Sequence, residues 1–262
     1  MNIIHLSDLH IGKSDNDRKV SRITEWLIKH RSRHESNTIL ITGDIVDDGA
    51  TWQYHRAREH VHRLRENDFQ VLCVPGNHDY GPLGITESQR SAANFQDYLA
   101  GDVQYPHLEI IERQAFILLD SMFQEIQDVE FWGAEGELGE DQIHTLDQIL
   151  QRLAGDDKVE KVVLALHHHP FEYKRFHQLR DAEQFLETIT AFDGGESRVN
   201  ALLFGHKHVA QRFNQPPLDE EAQYGLDLIY AAGSSVERDQ SGRMNIPAID
   251  LTQMTIHCFK IK

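Results

Sequence analysis

Short apolar runs alternate with segments of helical period along the first third of the chain. No other feature narrows the possible folds as much. Residues 2–6 (NIIHL) read as a strand, and residues 18–35 as a helix with Val20, Ile23, Leu27 and Ile28 on one face. Residues 38–41 (TILI) form a second strand, and residues 51–66 a helix carrying Tyr54, Ala57, Val61 and Leu64. Residues 70–74 (QVLCV) make a third strand. A βαβαβ opening of this kind calls for a parallel sheet covered by helices. Further on, the patterns predict a helix over 90–100, two strands within 108–119 and a helix over 140–154 marked by Ile143, Leu146, Leu150 and Leu153. A strand over 162–166, a helix over 181–192, a strand over 201–204 and a β-rich end (227–232, 246–250, 255–260) complete the reading. Residues 193–198 (DGGESR) and Gln215-Pro216-Pro217 read as loops, not boundaries, so residues 1–262 are expected to form a single domain.

The polar residues fall at the ends of those strands. The first ends in Ser7-Asp8-Leu9-His10, the second in Thr42-Gly43-Asp44 and the third in Pro75-Gly76-Asn77-His78-Asp79. The run 162–166 leads into His167-His168-His169-Pro170, and 201–204 into Gly205-His206-Lys207-His208. Open α/β sheets place their sites at the carboxyl edge of the strands. Imidazole, carboxylate and amide donors without thiolates suit ions such as Mn, Fe or Zn. Asp8-x-His10 and His206-x-His208 put two side chains on one face where the backbone is extended. Two Asp, one Asn and at least four His are more than one ion needs. A pair of ions bridged by one carboxylate would use them all, and such pairs serve phosphoester displacement by activating water and neutralising phosphate charge.

Composition removes several alternatives. With 26 Lys+Arg against 42 Asp+Glu, the formal net charge is −16. That excess argues against gripping nucleic acid or an anionic membrane through bulk charge. Cys73 and Cys258 sit in no C-x-x-C spacing, and residues 2–8 show no basic-then-apolar leader, so a reduced, cytoplasmic setting is expected.

The ordered set Asp8-x-His10, Gly43-Asp44, Gly76-Asn77-His78-Asp79, His168 and Gly205-His206-x-His208 resembles the calcineurin-like metallophosphoesterase superfamily. The match runs from residue 8 to 208. The resemblance implies an α/β fold, a four-layered αββα sandwich of two mixed sheets flanked by helices. It also implies two metal ions (Mn, Fe or Zn). One would be held by Asp8, His10, Asp44 and His208, the other by Asp44, Asn77, His168 and His206, with Asp44 bridging and taking part in catalysis. His78 would bind phosphate beside Asn77 and protonate the leaving alkoxide, work suited to an imidazole. Spacing alone does not choose among the three adjacent histidines. The family places its ligand two residues before the proline, which selects His168, and alternation puts His168 on one face with Leu164 and Leu166.

Other polar residues have plainer readings. His5 is expected to be a satisfied core histidine, and His55, His60, His62 and His144 to be solvated. Asp79 is expected to orient a histidine, Asp47 and Asp48 to fix the loop after Asp44, and Lys207 to point away from the ions. Tyr80 and residues 81–84 could border the pocket.

Family details narrow the substrate. Protein phosphatases of this superfamily carry Arg where Asp48 stands and Glu where Asp79 stands, and the lipid-A-pathway hydrolases have Arg in place of His78. The nuclease branch brings a basic surface that a −16 chain lacks. The resemblance is greatest to class III cyclic-nucleotide phosphodiesterases and their glycerophosphodiesterase relatives. A phosphodiesterase acting on small organic phosphates, cyclic AMP first, is therefore the expectation. Phosphomonoesterase, nuclease and a non-catalytic metal-binding scaffold are the alternatives, and a homodimer through the β-rich tail is left open.

Overall fold

The computed structural model describes residues 1–85, 88–123, 134–171, 178–190, 197, 199–213 and 225–262. Eleven strands among these residues build two mixed sheets. The first holds β1 (Asn2–Leu6), β2 (Thr38–Thr42) and β3 (Gln70–Val74) in parallel, with β10 (Met244–Asp250) and β11 (Thr255–Ile261) added antiparallel beyond β1, in the order β11-β10-β1-β2-β3. The second runs β4-β5-β6-β7-β9-β8, built from β4 (His107–Ile111), β5 (Gln114–Leu118), β6 (Lys161–Ala165), β7 (Ala201–Phe204), β8 (Gln211–Arg212) and β9 (Leu228–Ala231). Its central strands β5, β6, β7 and β9 are parallel.

Alternation along the strands sorts side chains into three cores. Ile3, Leu40, Val74, Phe116, Val163, Ala165, Ala201, Leu203 and Tyr230 face inward, sheet against sheet. The alternate residues Ile4, Leu6, Ile39 and Ile41 face α1 (Asn16–Lys29) and α3 (Thr51–Glu66). On the other side Leu164, Leu166, Leu202 and Phe204 meet α6 (Glu140–Leu153) and α7 (Ala182–Thr190). Strands buried on both faces read as unbroken apolar runs, which is why TILIT is wholly buried. The four layers and two mixed sheets are those the sequence predicts.

Departures are local. The helix expected over 18–35 breaks at His30, whose φ of −113° ends α1 and starts the short α2 (Arg31–His34). The third parallel strand leads into the short helix α4 (Asn77–Tyr80). The segment expected as one helix over 90–100 is α5 (Gln89–Phe95) followed by a wider π-type turn over Gln96–Ala100. The two-residue β8 has no sequence signal. The ends of α7 beyond Thr190, the loop 193–198 except Ser197, and Gln215-Pro216-Pro217 lie outside the described residues. Among the described residues, no helix is long and apolar enough to cross a membrane.

Candidate metal centre

The carboxyl ends of β1, β2, β3, β6 and β7 meet at one edge of the sandwich, where loops of the two sheets interlock. Asp8 N–H donates to Gly43 O at 3.1 Å and His10 N–H to Asp44 O at 2.9 Å, while Gly205 N–H donates to His167 O at 3.1 Å. The backbone here is strained. Asp8, His10, Asp44, His206 and His208 all have positive φ, from 43° to 74°. Each such residue without glycine's freedom costs roughly 1–2 kcal/mol. So the Asp8-Leu9-His10 and His206-Lys207-His208 segments curl, instead of extending as their i,i+2 spacing suggests. His206 and His208 accordingly reach different clusters. Gly43, at φ 82°, passes so close to the His167 ring that a side chain there would collide with it.

Asp8, His10, Asp44 and His208 form the first cluster, with one donor atom from each within 4.8 Å of the others. His208 Nε2 lies 3.3 Å from Asp8 Oδ1, His10 Nε2 lies 3.1 Å from His208 Nε2, and His10 Nε2 lies 3.7 Å from Asp44 Oδ2. The same Asp44 Oδ2 is 3.3 Å from His167 Nε2, which is 3.2 Å from both Asn77 Oδ1 and His206 Nδ1. Asp44 Oδ1 is taken by the backbone N–H of His78 at 2.9 Å, leaving Oδ2 to face both imidazole sets. The Asn77 amide is oriented by donating to Gly84 O at 2.8 Å, which turns Oδ1 inward. Asp8, His10, Asp44, Asn77, His206 and His208 converge in this way, with His168 reaching His167 and His206 from behind.

His167 occupies the place the sequence reading assigns to His168. Leu164 and Leu166 pack toward α6 and Val163 and Ala165 between the sheets. The strand ends at Ala165, and beyond it His167 reaches Asp44 and Asn77 while His169 packs on Phe204 and Phe213. His168 is fully buried behind the cluster, with Nδ1 at 2.8 Å from Ser121 Oγ and its ring 4.5 Å from that of His206. Its donor atom still falls within 4.8 Å of those of His167 and His206.

The electrostatics follow from two carboxylates packed among imidazoles. Burial alone would raise the Asp44 carboxyl, but the charge and hydrogen bond of His167, then His78 and His10, hold it well below the usual range. Burial would lower His167, yet Asp44 raises it to about 9. His208, against the same effect of burial, is raised to about 9 by Asp8 and Glu237. Burial and then the neighbouring His168 and His167 push His206 well down. Such a set of nitrogen and oxygen donors, in a field that attracts positive charge, fits divalent ions.

Several supporting residues carry little sequence signal. Asp47 Oδ1 sits 3.0 Å from His10 Nδ1, and the Asp47 carbonyl accepts from His78 Nδ1 at 2.7 Å. Among the described residues, Asp79 is hydrogen-bonded to no histidine side chain. It accepts backbone N–H groups of Gly76 at 2.9 Å, Val46 at 2.9 Å and Ile45 at 3.2 Å, tying the third loop to the second. Burial, then Asp44, raises its carboxyl to about 7 against the pull of those donors. Tyr80 is buried with its hydroxyl donating to Asp120 Oδ2 at 2.8 Å, so Gly84 and not Tyr80 adjoins the ligands. His5 is a core residue, as expected, but only half satisfied: Nε2 lies 2.9 Å from Thr42 Oγ1, its buried Nδ1 has no partner among the described residues, and burial lowers it to about 3. His60 is half-buried where a solvated residue is expected, and burial lowers it. Lys207 is half-buried too, its ammonium lowered by burial to about 8.

The family model for calcineurin-like phosphoesterases matches residues 1–210. The chain belongs to that family. The chain is 31% identical over 220 residues to the 3',5'-cyclic adenosine monophosphate phosphodiesterase CpdA of Escherichia coli K12, covering 79% of this chain and 69% of the relative. It is 25% identical over 215 residues to the "Probable glycerophosphodiester phosphodiesterase GpdQ" of Arcobacter nitrofigilis, covering 79% and 72%. The purple acid phosphatase PPD1 of yellow lupin superposes with a TM-score of 0.61 at 9% identity, a likeness of fold alone. It covers 98% of this chain, which spans about half (52%) of that one.

The three N–H groups that Asp79 accepts lead to a first prediction. Asp79→Leu should leave them buried and unpaired, at about 1–3 kcal/mol each. In urea unfolding with EDTA present, the midpoint should drop sharply, and Asp79→Asn, which keeps one oxygen, should lose less.

Proposed function

We propose that the protein is a two-metal phosphodiesterase acting on small organic phosphates, with cyclic AMP the first substrate to test. The observation that carries this reading is the single Asp44 oxygen shared by two sets of donors. One ion would be held by Asp8, His10, Asp44 and His208, and the other by Asp44, Asn77, His167 and His206. Mn, Fe or Zn would suit both sets. When bound, the ions would supply an activated water and neutralise the charge of the phosphate oxygens.

The chain's own residues would do the rest. His78 is only partly buried, its side chain 21% exposed, so a substrate can touch it. Its Nδ1–H is committed to the Asp47 carbonyl, which leaves Nε2 as the nitrogen that exchanges a proton. From there it would contact phosphate and protonate the leaving alkoxide. Asn77, oriented by Gly84, would face the same phosphate. An acidic surface disfavours a long polyanion but not a small one, because the bound cations would make the pocket locally positive. We take residues 1–262 as one domain, since β10 and β11 return from the end of the chain to extend the first sheet beside β1. Cys73 and Cys258 are both free, which fits a reduced, cytoplasmic setting.

Protein reconstituted with Mn²⁺ should hydrolyse bis(p-nitrophenyl) phosphate. A panel of cyclic nucleotides, glycerophosphodiesters, nucleotides and single-stranded DNA should then rank its substrates. Inactivity with every one of Mn, Fe, Zn, Co and Ni would remove the enzyme reading. Elemental analysis separates the neighbouring histidines: His167→Ala should lose one ion per chain, while His168→Ala should keep two. His78→Ala should keep both ions and lose about 10²–10⁴-fold in kcat, and a near-normal rate would exclude it from the chemistry.

A further inference from the structure

The family match ends at residue 210, yet the loop after β9 reaches back to the metal centre. Ser235 N–H donates to Ser7 O at 2.9 Å, and Ser7 N–H donates to Ser235 Oγ at 3.0 Å. Ser234 Oγ donates to the carbonyl of Asp8 at 2.8 Å. Both serines are buried, so these bonds are sheltered from water. Three residues beyond Ser234, Glu237 Oε1 lies 3.1 Å from His208 Nδ1, on the side of the ring opposite the Nε2 that faces Asp8. One short segment thus holds the backbone of one first-cluster donor and the far nitrogen of another.

A carboxylate on Nδ1 does two things to a ligand imidazole. It keeps the proton on Nδ1, so that Nε2 presents its lone pair, and it makes that lone pair more basic. His10 has the same support from Asp47 at 3.0 Å. The second cluster differs, because Nδ1 of His167 donates to the neutral carbonyl of Thr42 at 2.8 Å. Both imidazoles of the first cluster are therefore backed by carboxylates.

We infer that Ser234–Glu237 is a clamp for the first ion site, in which Glu237 and Ser234 are positioning residues for His208 and Asp8. The inference rests on the two-metal reading above and adds residues outside the family-matched part of the chain. Glu237 is 62% exposed at its side chain, so replacing it leaves the fold intact.

The test is Mn²⁺ titration of metal-free protein by electron paramagnetic resonance, in a His167→Ala background that leaves the first site alone. Glu237→Ala should weaken Mn²⁺ binding there by about 10–100-fold. Glu237→Gln, whose amide oxygen still accepts the Nδ1 proton, should recover part of the loss. Ser234→Ala should also weaken this site. With His208 replaced by Ala, the further change Glu237→Ala should have no effect, because the contact is already gone. A loss below twofold, or an undiminished loss in the His208→Ala background, would overturn the clamp. Wild-type protein that binds no Mn²⁺ would instead remove the two-metal reading itself.

Discussion

The centre depends on Asp44, a carboxylate with 2% exposure and an imidazole set on either side. A buried negative charge is tolerated only with compensating partners. Here one oxygen is fixed by the backbone N–H of His78 and the other is surrounded by His10 and His167. The surrounding loops serve that arrangement. Gly43 lets β2 turn beneath the His167 ring, Asp79 ties the loops after β2 and β3 together, and His78 is carried to its position by the same N–H that anchors Asp44. A change at Asp44 would therefore disturb three loops as well as two donor sets.

The fold was legible because periodicity and burial coincide. Strands such as TILIT are apolar on both faces, and the helix faces of Val20, Ile23 and Leu27 or Ile143, Leu146 and Leu150 pack as their spacing implies. What was not legible is local. His30 interrupts a helix whose apolar pattern gives no sign of a break, and β8 is two exposed residues with no period to detect. Much of the site was legible as well, since the residues singled out from the motifs lie together at one edge, with His167 among them. His167, rather than His168, lies against Asp44 and Asn77 for a definite reason. Alternation holds only within β6, which ends at Ala165, so it does not govern the three histidines that follow. The roles of Asp47, Asp79 and Ser121 needed coordinates, because each acts through a contact far away in sequence, such as that of Ser121 with His168, 47 positions on.

The two sheets contribute unequal chemistry. The first supplies Asp8, His10, Asp44 and Asn77, with His78 beside them; the second supplies only imidazoles, His167, His206 and His208. The carboxylates thus lie on one layer and only imidazoles on the other, and neither layer holds a complete site. Their separation is set by the inter-sheet core, where Ile3, Leu40 and Val74 meet Ala165, Ala201 and Leu203. Protein interiors are packed too densely to yield to such a change without strain. The spacing of the donors is therefore a property of that apolar contact as much as of the loops. A substitution there that thickened the core by a methylene would move His167 relative to Asp44 without changing the identity of any donor residue. In this chain, metal geometry and sheet packing are one constraint, and the strained loops at the edge are the part that could adapt to it.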